Sequence, residues 1–162
     1  MSAVQQSGVI TPGHLPVWVA PGVIGDGGAA LAAQRVLASL RGANFNTTND
    51  QPIAIPQRVT AFRLTGITVT NASLGLTTAA GGFYPQAAKA STPIVAAAQA
   101  YSALTTTTDL LNLTIASFGL NTRFSSANLG TIGGLLNIWF SLTTGQGVAA
   151  TADVYLIGID LT

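Results

Sequence analysis

The 162-residue chain has no cysteine, no glutamate, one histidine and one methionine. Without cysteine there are no disulfides, no Cys-ligated zinc and no thiol chemistry. Charged residues make up 7% of the chain, against roughly 25% in an average soluble protein. The full set is Lys89, Arg35, Arg41, Arg58, Arg63 and Arg123 against Asp26, Asp50, Asp109, Asp153 and Asp160. A net charge of +1 gives no electrostatic footprint for nucleic acid, which needs clustered Lys and Arg. No apolar run reaches the ~18 residues of a membrane-spanning helix, so no membrane partner is expected. The opening MSAVQQSGVITPGH has neither a basic start nor a continuous apolar stretch. It does not read as a secretory signal, and assembly in a cytoplasm is the expectation.

What is present suits one domain with a short appendage. A monomer of this mass would expose about 7,500 Å². Eleven charges leave about one per 700 Å², sparse for a lone soluble particle. Either a Thr/Ser/Asn/Gln surface compensates, or assembly covers much of the surface; the second is expected here.

Residues 1–28 hold Pro12, Gly13, Pro16, Pro21, Gly22, Gly25, Gly27 and Gly28, a density that argues against a regular helix or a central strand. Val9, Ile10, Leu15, Val17, Trp18, Val19, Val23 and Ile24 are interleaved with them. So much apolar surface on an irregular segment predicts an extended arm that lies in a groove of a partner. A short helix is expected over 29–43: Asp26 can cap it, AALAAQRVLASLR fills it, and Gly42 ends it. Ala30, Ala33, Leu37 and Leu40 would then form one stripe, able to join three helices on a symmetry axis or to pack on the chain's own domain.

The signals turn to β from residue 44 on. Asn46-Thr47-Thr48-Asn49-Asp50 is turn chemistry. Strands are expected near 52–55, 58–70, 82–84, 92–96, 101–104, 110–116, 136–142 and 153–161, with glycine clusters between several of them. Eight short strands in about 115 residues predict an all-β fold, a jelly-roll-like antiparallel sandwich over 44–162. Trp139 and Phe140 are neighbours on one strand, so one is expected in the core and the other under a cover from outside that sheet. Val154 and Leu156 alternate with Tyr155, Ile157 and Ile159, so the last strand is apolar on both faces.

Catalytic machinery is not expected. His14 stands alone between Gly13 and Leu15, without an oriented nucleophile or a nearby acid. The aspartates sit near strand ends, where a lone Asp usually caps a turn. Asn46, Asn49 and Asp50 match no calcium loop. Gly25-Asp26-Gly27-Gly28 follows no strand and precedes no lysine, so it is no phosphate loop. No cofactor and no metal is implied.

The arm VQQSGVITPGHLPVWVAPGVIGDGG, with Thr11-Pro12-Gly13-His14, Trp18, Gly22-Val23-Ile24 and Asp26-Gly27-Gly28, resembles the N-terminal segment of tailed-bacteriophage virion proteins. NFNTTNDQPIAI, ITVTNASLGLTTAAGGFY and SLTTGQGVAATADVYLIGIDL are similar to phage head-decoration or fibre domains. The resemblance implies a homotrimeric, non-enzymatic appendage in the virion. Its residues 1–28 would dock on the particle through Pro12, Gly13, His14, Trp18, Val23, Ile24 and Asp26. Ala30, Ala33, Leu37 and Leu40 are the expected oligomer interface. The leading expectation is a capsid decoration (cement) protein whose partner is the major capsid protein or another virion protein. The alternative is a tail-fibre or spike module that binds a host-surface glycan through Tyr84, Tyr101 and Asn121.

Overall fold

The computed structural model describes the backbone of residues 5–7, 14–20 and 23–29, and residues 34–162 in full. The chain divides into two compact units, Met1–Ala33 and Gln34–Thr162.

In the first unit, β1 (Gln5–Ser7), β2 (His14–Ala20) and β3 (Val23–Ala29) form one sheet in the order β1-β3-β2. β2 and β3 make an antiparallel hairpin, and β1 runs parallel to β3. The expectation that this segment holds no central strand is therefore corrected. β3 carries four residues other than glycine and no proline, so all its N–H groups can pair. Pro16 falls on β2, an edge strand where a missing donor is tolerated.

The second unit is all-β and sandwich-like, as expected. Its strands are β4 (Gln34–Asn44), β5 (Gln51–Ala54), β6 (Ala61–Thr70), β7 (Ala80–Tyr84), β8 (Leu110–Leu113), β9 (Phe124–Ser125), β10 (Gly130–Ile132), β11 (Leu135–Thr144) and β12 (Thr151–Asp160). One antiparallel sheet has the order β4-β12-β6-β8, with β9 also on β6. In the other, β11 pairs with β10, β5 and β7. A single helix in this unit, α1 (Ser117–Asn121), packs by Gly119 against Ile94 and Ile115.

The helix expected over 29–43 is not formed by its described part. Residues 34–44 are the edge strand β4, paired antiparallel with β12; residues 30–33 lie outside the described residues. Ala, Leu, Gln and Arg favour helix locally, but an isolated helix of this length is marginal in water. Pairing with β12 lets Leu37, Ala38 and Ala43 enter the core instead. Two bulges shape the pairing. Ala38 faces Leu156 and Val36 faces Ile157, so Leu37 is the extra residue between them, and both Leu37 and Ala38 are buried. Arg41 and Gly42 together oppose Asp153, and Gly42 takes φ +62°. The glycine has the left-handed backbone expected of it, in a bulge rather than at a helix end.

The core between the sheets is aromatic at both ends. Phe140 lies 4.9 Å from Phe45 and 5.1 Å from Phe83 between ring centres. Phe62 stacks on Phe124 at 5.5 Å. The closest approaches that require glycine are at Gly158, where a Cβ would lie 2.2 Å from the Arg63 carbonyl oxygen, and at Gly81, where it would lie 2.3 Å from Leu142 Cα. Segments 92–96 and 101–104, expected as strands, are loops; the first touches β7 through the Phe83–Val95 bridge, and the second follows the Ala80–Ala100 bridge. Phe140 is fully buried, and Trp139 on the opposite face is half-buried. A Cβ at Gly130 would lie 3.2 Å from Trp139 Nε1, so part of the expected cover over this indole comes from β10 of the same sheet.

Candidate functional site

Of the expected docking residues, Pro12 and Gly13 lie outside the described residues. The hairpin sets the other five in register: Trp18 faces Ile24, Pro16 faces Asp26, Ala20 faces Val23, and His14 stands against Ala29 at the far end. Trp18 and Ile24 are thus brought level, while His14 is placed apart from both. β1 adds Gln5 and Gln6 on the other side of Val23 and Ile24. The five residues share one two-stranded ribbon within the first unit.

The expected interface stripe is not assembled. Ala30 and Ala33 lie outside the described residues. Leu37 is 3% exposed in the sandwich core and Leu40 packs against it, so neither is free for a neighbour as a helical stripe requires. A strand alternates its side chains with period two, so the 3-4-3 spacing has no meaning on β4.

The glycan reading also changes. Tyr84 is 3% exposed and Tyr101 is fully buried. Tyr101 donates from its hydroxyl to the Gly81 carbonyl at 3.1 Å and meets Phe45 edge-on at 5.0 Å. Burial, and then neighbouring Tyr84, push the Tyr101 hydroxyl pKa far up. Asn121 is exposed, with Nδ2 donating to the Ser117 carbonyl at 2.9 Å. Neither tyrosine presents a ring to a sugar.

Three polar clusters were not foreseen. In the first, Asp50 accepts from Ser141 Oγ at 2.7 Å and from the Ala88 backbone N–H. Lys89 Nζ donates to the Thr48 carbonyl at 3.2 Å. Burial, and then the Asp50 charge, raise the Tyr84 pKa. Asp50 thereby ties the turn after β4 to β11 and to the loop after β7. In that loop Ala88, Lys89 and Ser91 adopt φ of 58°, 56° and 70°, a conformation costing roughly 1 kcal/mol or more per non-glycine residue. Ser141 is fully buried, so its hydroxyl orients the carboxylate and meets no solvent.

The second cluster is Asp153, opposite the Arg41-Gly42 bulge. It accepts from Gly42 N–H at 2.8 Å, Asn71 Nδ2 at 3.0 Å and Arg41 Nη1 at 3.4 Å. The Arg41 guanidinium also lies 5.5 Å from the Tyr155 ring centre. The Asn71 amide first, then the Gly42 N–H, hold the Asp153 carboxyl below the ordinary aspartate range against the cost of burial. At the other end of the same seam Asp160 pairs with Arg35. Burial opposes its ionisation, yet Thr162 and Arg35 outweigh that and lower its pKa. The third cluster is Gln146, whose Oε1 accepts from the Thr78 and Ala79 N–H groups while Nε2 donates to the Gly75 carbonyl at 3.1 Å.

All three join residues more than 35 positions apart, so no local motif announces them. What these clusters do is fasten loops and strand edges. Among the described residues no group of three or more His, Cys, Asp or Glu is placed to hold a metal. A cavity of about 170 Å³ opens beside Ile55, Val59 and Leu136 with Gln57, Thr60 and Ser126 around it; this lining is uncharged. Among the described residues no helix is long and apolar enough to cross a membrane.

Compared with known proteins, the chain matches no family model, no curated protein and no solved structure.

Proposed function

We propose that this protein is a non-enzymatic structural component of a bacteriophage virion: a capsid decoration protein, trimeric, attached by its N-terminal unit and projecting its sandwich outward. The observation that carries the reading is the division of the chain at Ala33 and Gln34. Below about 40 residues a unit needs disulfides, a metal or a partner to hold its fold. The first unit has 33 residues and no cysteine, and its three strands form a single sheet. Such a sheet is stabilised by what it packs on, and a particle surface supplies that. The resemblance of the same segment to phage virion arms supports the assignment. So do the scarcity of charge and the sandwich, whose polar groups serve as internal fasteners.

Each arm would contribute apolar contact at about 25 cal/mol per Å² buried, and attachment through several arms would add avidity. Immunogold labelling of intact virions, with antibody raised against residues 34–162, tests the reading. Gold distributed over the head is expected. Gold confined to the tail would reject decoration, and absence of gold with an antibody proven on purified protein would reject the virion reading.

A further inference from the structure

The half-buried Trp139 of β11 carries a buried indole N–H that no described residue accepts. We propose that this indole, with Gln86 and Gly130, forms a binding site for a hydroxyl group of a neutral sugar ring. The inference stands on the second unit by itself and does not rest on the virion reading above.

Three segments of the fold meet at this point. Trp139 lies level with Tyr84 of β7 on one side and with Pro52 of β5 on the other, and directly opposed residues share a face of the sheet. Phe140 takes the core face, so this row lies on the outer one. The Gly130 N–H donates to the Pro85 carbonyl at 2.9 Å, which sets the loop after β7 against β10 and brings Gln86 alongside. A Cβ at Gly130 would lie 3.1 Å from Gln86 Oε1 and 3.2 Å from Trp139 Nε1. Glycine therefore leaves open the space on which an amide oxygen and an indole N–H converge. Buried donors are rarely left without an acceptor, and this one points to a ligand that supplies it.

The chemistry of the two groups selects the ligand. Gln86 Nε2 donates to the Asn128 carbonyl at 3.3 Å, and that acceptor fixes which end of the amide is the oxygen. The space is thus faced by one donor, Trp139 Nε1–H, and one acceptor, Gln86 Oε1. A carboxylate or a phosphate dianion answers only the donor, and an ammonium only the acceptor; a hydroxyl answers both. Pro52 is exposed, and its ring and the accessible part of the indole add apolar surface beside the polar pair, the mixture from which small-ligand sites are built. A sugar ring, apolar on its C–H face and hydroxylated at its edge, matches both features.

The test is a heteronuclear NMR titration of the full-length protein that follows the indole N–H signal of Trp139. The chain has two tryptophans, and Trp18→Phe leaves the Trp139 signal alone. The probes are glucose, galactose, mannose and N-acetylglucosamine, the polymers dextran and mannan, and the anions acetate and inorganic phosphate. The expected result is a saturable shift with at least one saccharide and none with either anion. The dissociation constant should rise roughly tenfold or more in Gly130→Ala, which fills the space, and in Gln86→Ala, which removes the acceptor. Gln86 is partly exposed, so Gln86→Ala keeps the fold even where Gly130→Ala does not, and a thermal melt identifies the folded variants. Either source supports the site: tighter binding of a polymer than of its monosaccharide assigns a polysaccharide, and the reverse assigns a free sugar. No saturable shift with any saccharide, or a shift with an anion alone, overturns the proposal. Saccharide binding that is unchanged in the folded variants overturns it as well, because the ligand then sits elsewhere.

Discussion

In the first unit, strands of three, seven and seven residues pair around Val23–Ala29 in a single sheet. In the second, β6, β11 and β12 each run ten residues and close two sheets over Phe45, Phe62, Phe83, Phe124 and Phe140, all fully buried. Both units pair backbone groups between strands, and among the described residues the second encloses an interior of buried side chains. A short single sheet is marginal until it packs on something, whereas two sheets closed over a core hold themselves together. On the function proposed above, the first unit would serve attachment and the second persistence.

The largest expected effect tests the interior. Phe140→Ala removes a ring in contact with Phe45, Phe83 and Tyr101 and should cost about 3–5 kcal/mol in denaturant unfolding. A cost under about 1 kcal/mol would mean that the aromatic cluster is not what holds the sheets together. Next is Gly158→Ala, whose added methyl meets the Arg63 carbonyl and Leu37. Overpacking there should cost about 2–3 kcal/mol, and a neutral effect would show that β6 can move away from β12.

Asp153→Asn should cost about 1 kcal/mol, because it weakens charge-assisted hydrogen bonds at a largely exposed seam. The same seam sets the acid limit. Asp153 and Asp160 both have pKa values below the ordinary 3.8. Carboxylates depressed in the folded state contribute stability above the unfolded value, and that contribution disappears as pH falls through the folded one. Stability should therefore be flat toward neutrality and decline below about pH 4, less steeply in Asp153→Asn. An identical pH profile in that variant would locate the acid sensitivity elsewhere. The smallest effect is expected from removing residues 1–33. The sandwich should keep a cooperative unfolding transition within about 1 kcal/mol of the parent, while capsid binding is abolished. Loss of the transition would show that the two units fold as one.

Much of the sandwich was legible. Turn residues and β-branched runs placed β5, β6, β7, β8, β11 and β12 to within a few residues. β4 was misread: its Ala-Leu-Arg composition favours helix, and the strand exists only because β12, more than a hundred residues later, pairs with it. Gly42 gave a true signal of left-handed backbone that fits a bulge as well as a cap. Tyr84 ends β7, and Tyr101, expected on a strand, lies in a loop; nothing local shows that this loop folds inward to set Tyr101 against Phe45 and Phe140. Asp50 was read as turn chemistry, which it is; its bond to Ser141 spans 91 positions and leaves no mark in sequence spacing.

The position of β12 has a consequence for biosynthesis. It lies between β4 and β6, yet it is the last strand of the described chain. Until residue 160 has left the ribosome, β4 and β6 have no shared neighbour and the apolar faces they will bury stay open. The sheet therefore closes only after translation has passed its final strand, a long-range step of the slow-folding kind. During that interval the waiting edges can take the same strand from another nascent copy. Co-expressed copies made at high local concentration are then exposed to strand exchange until each has closed its own sheet.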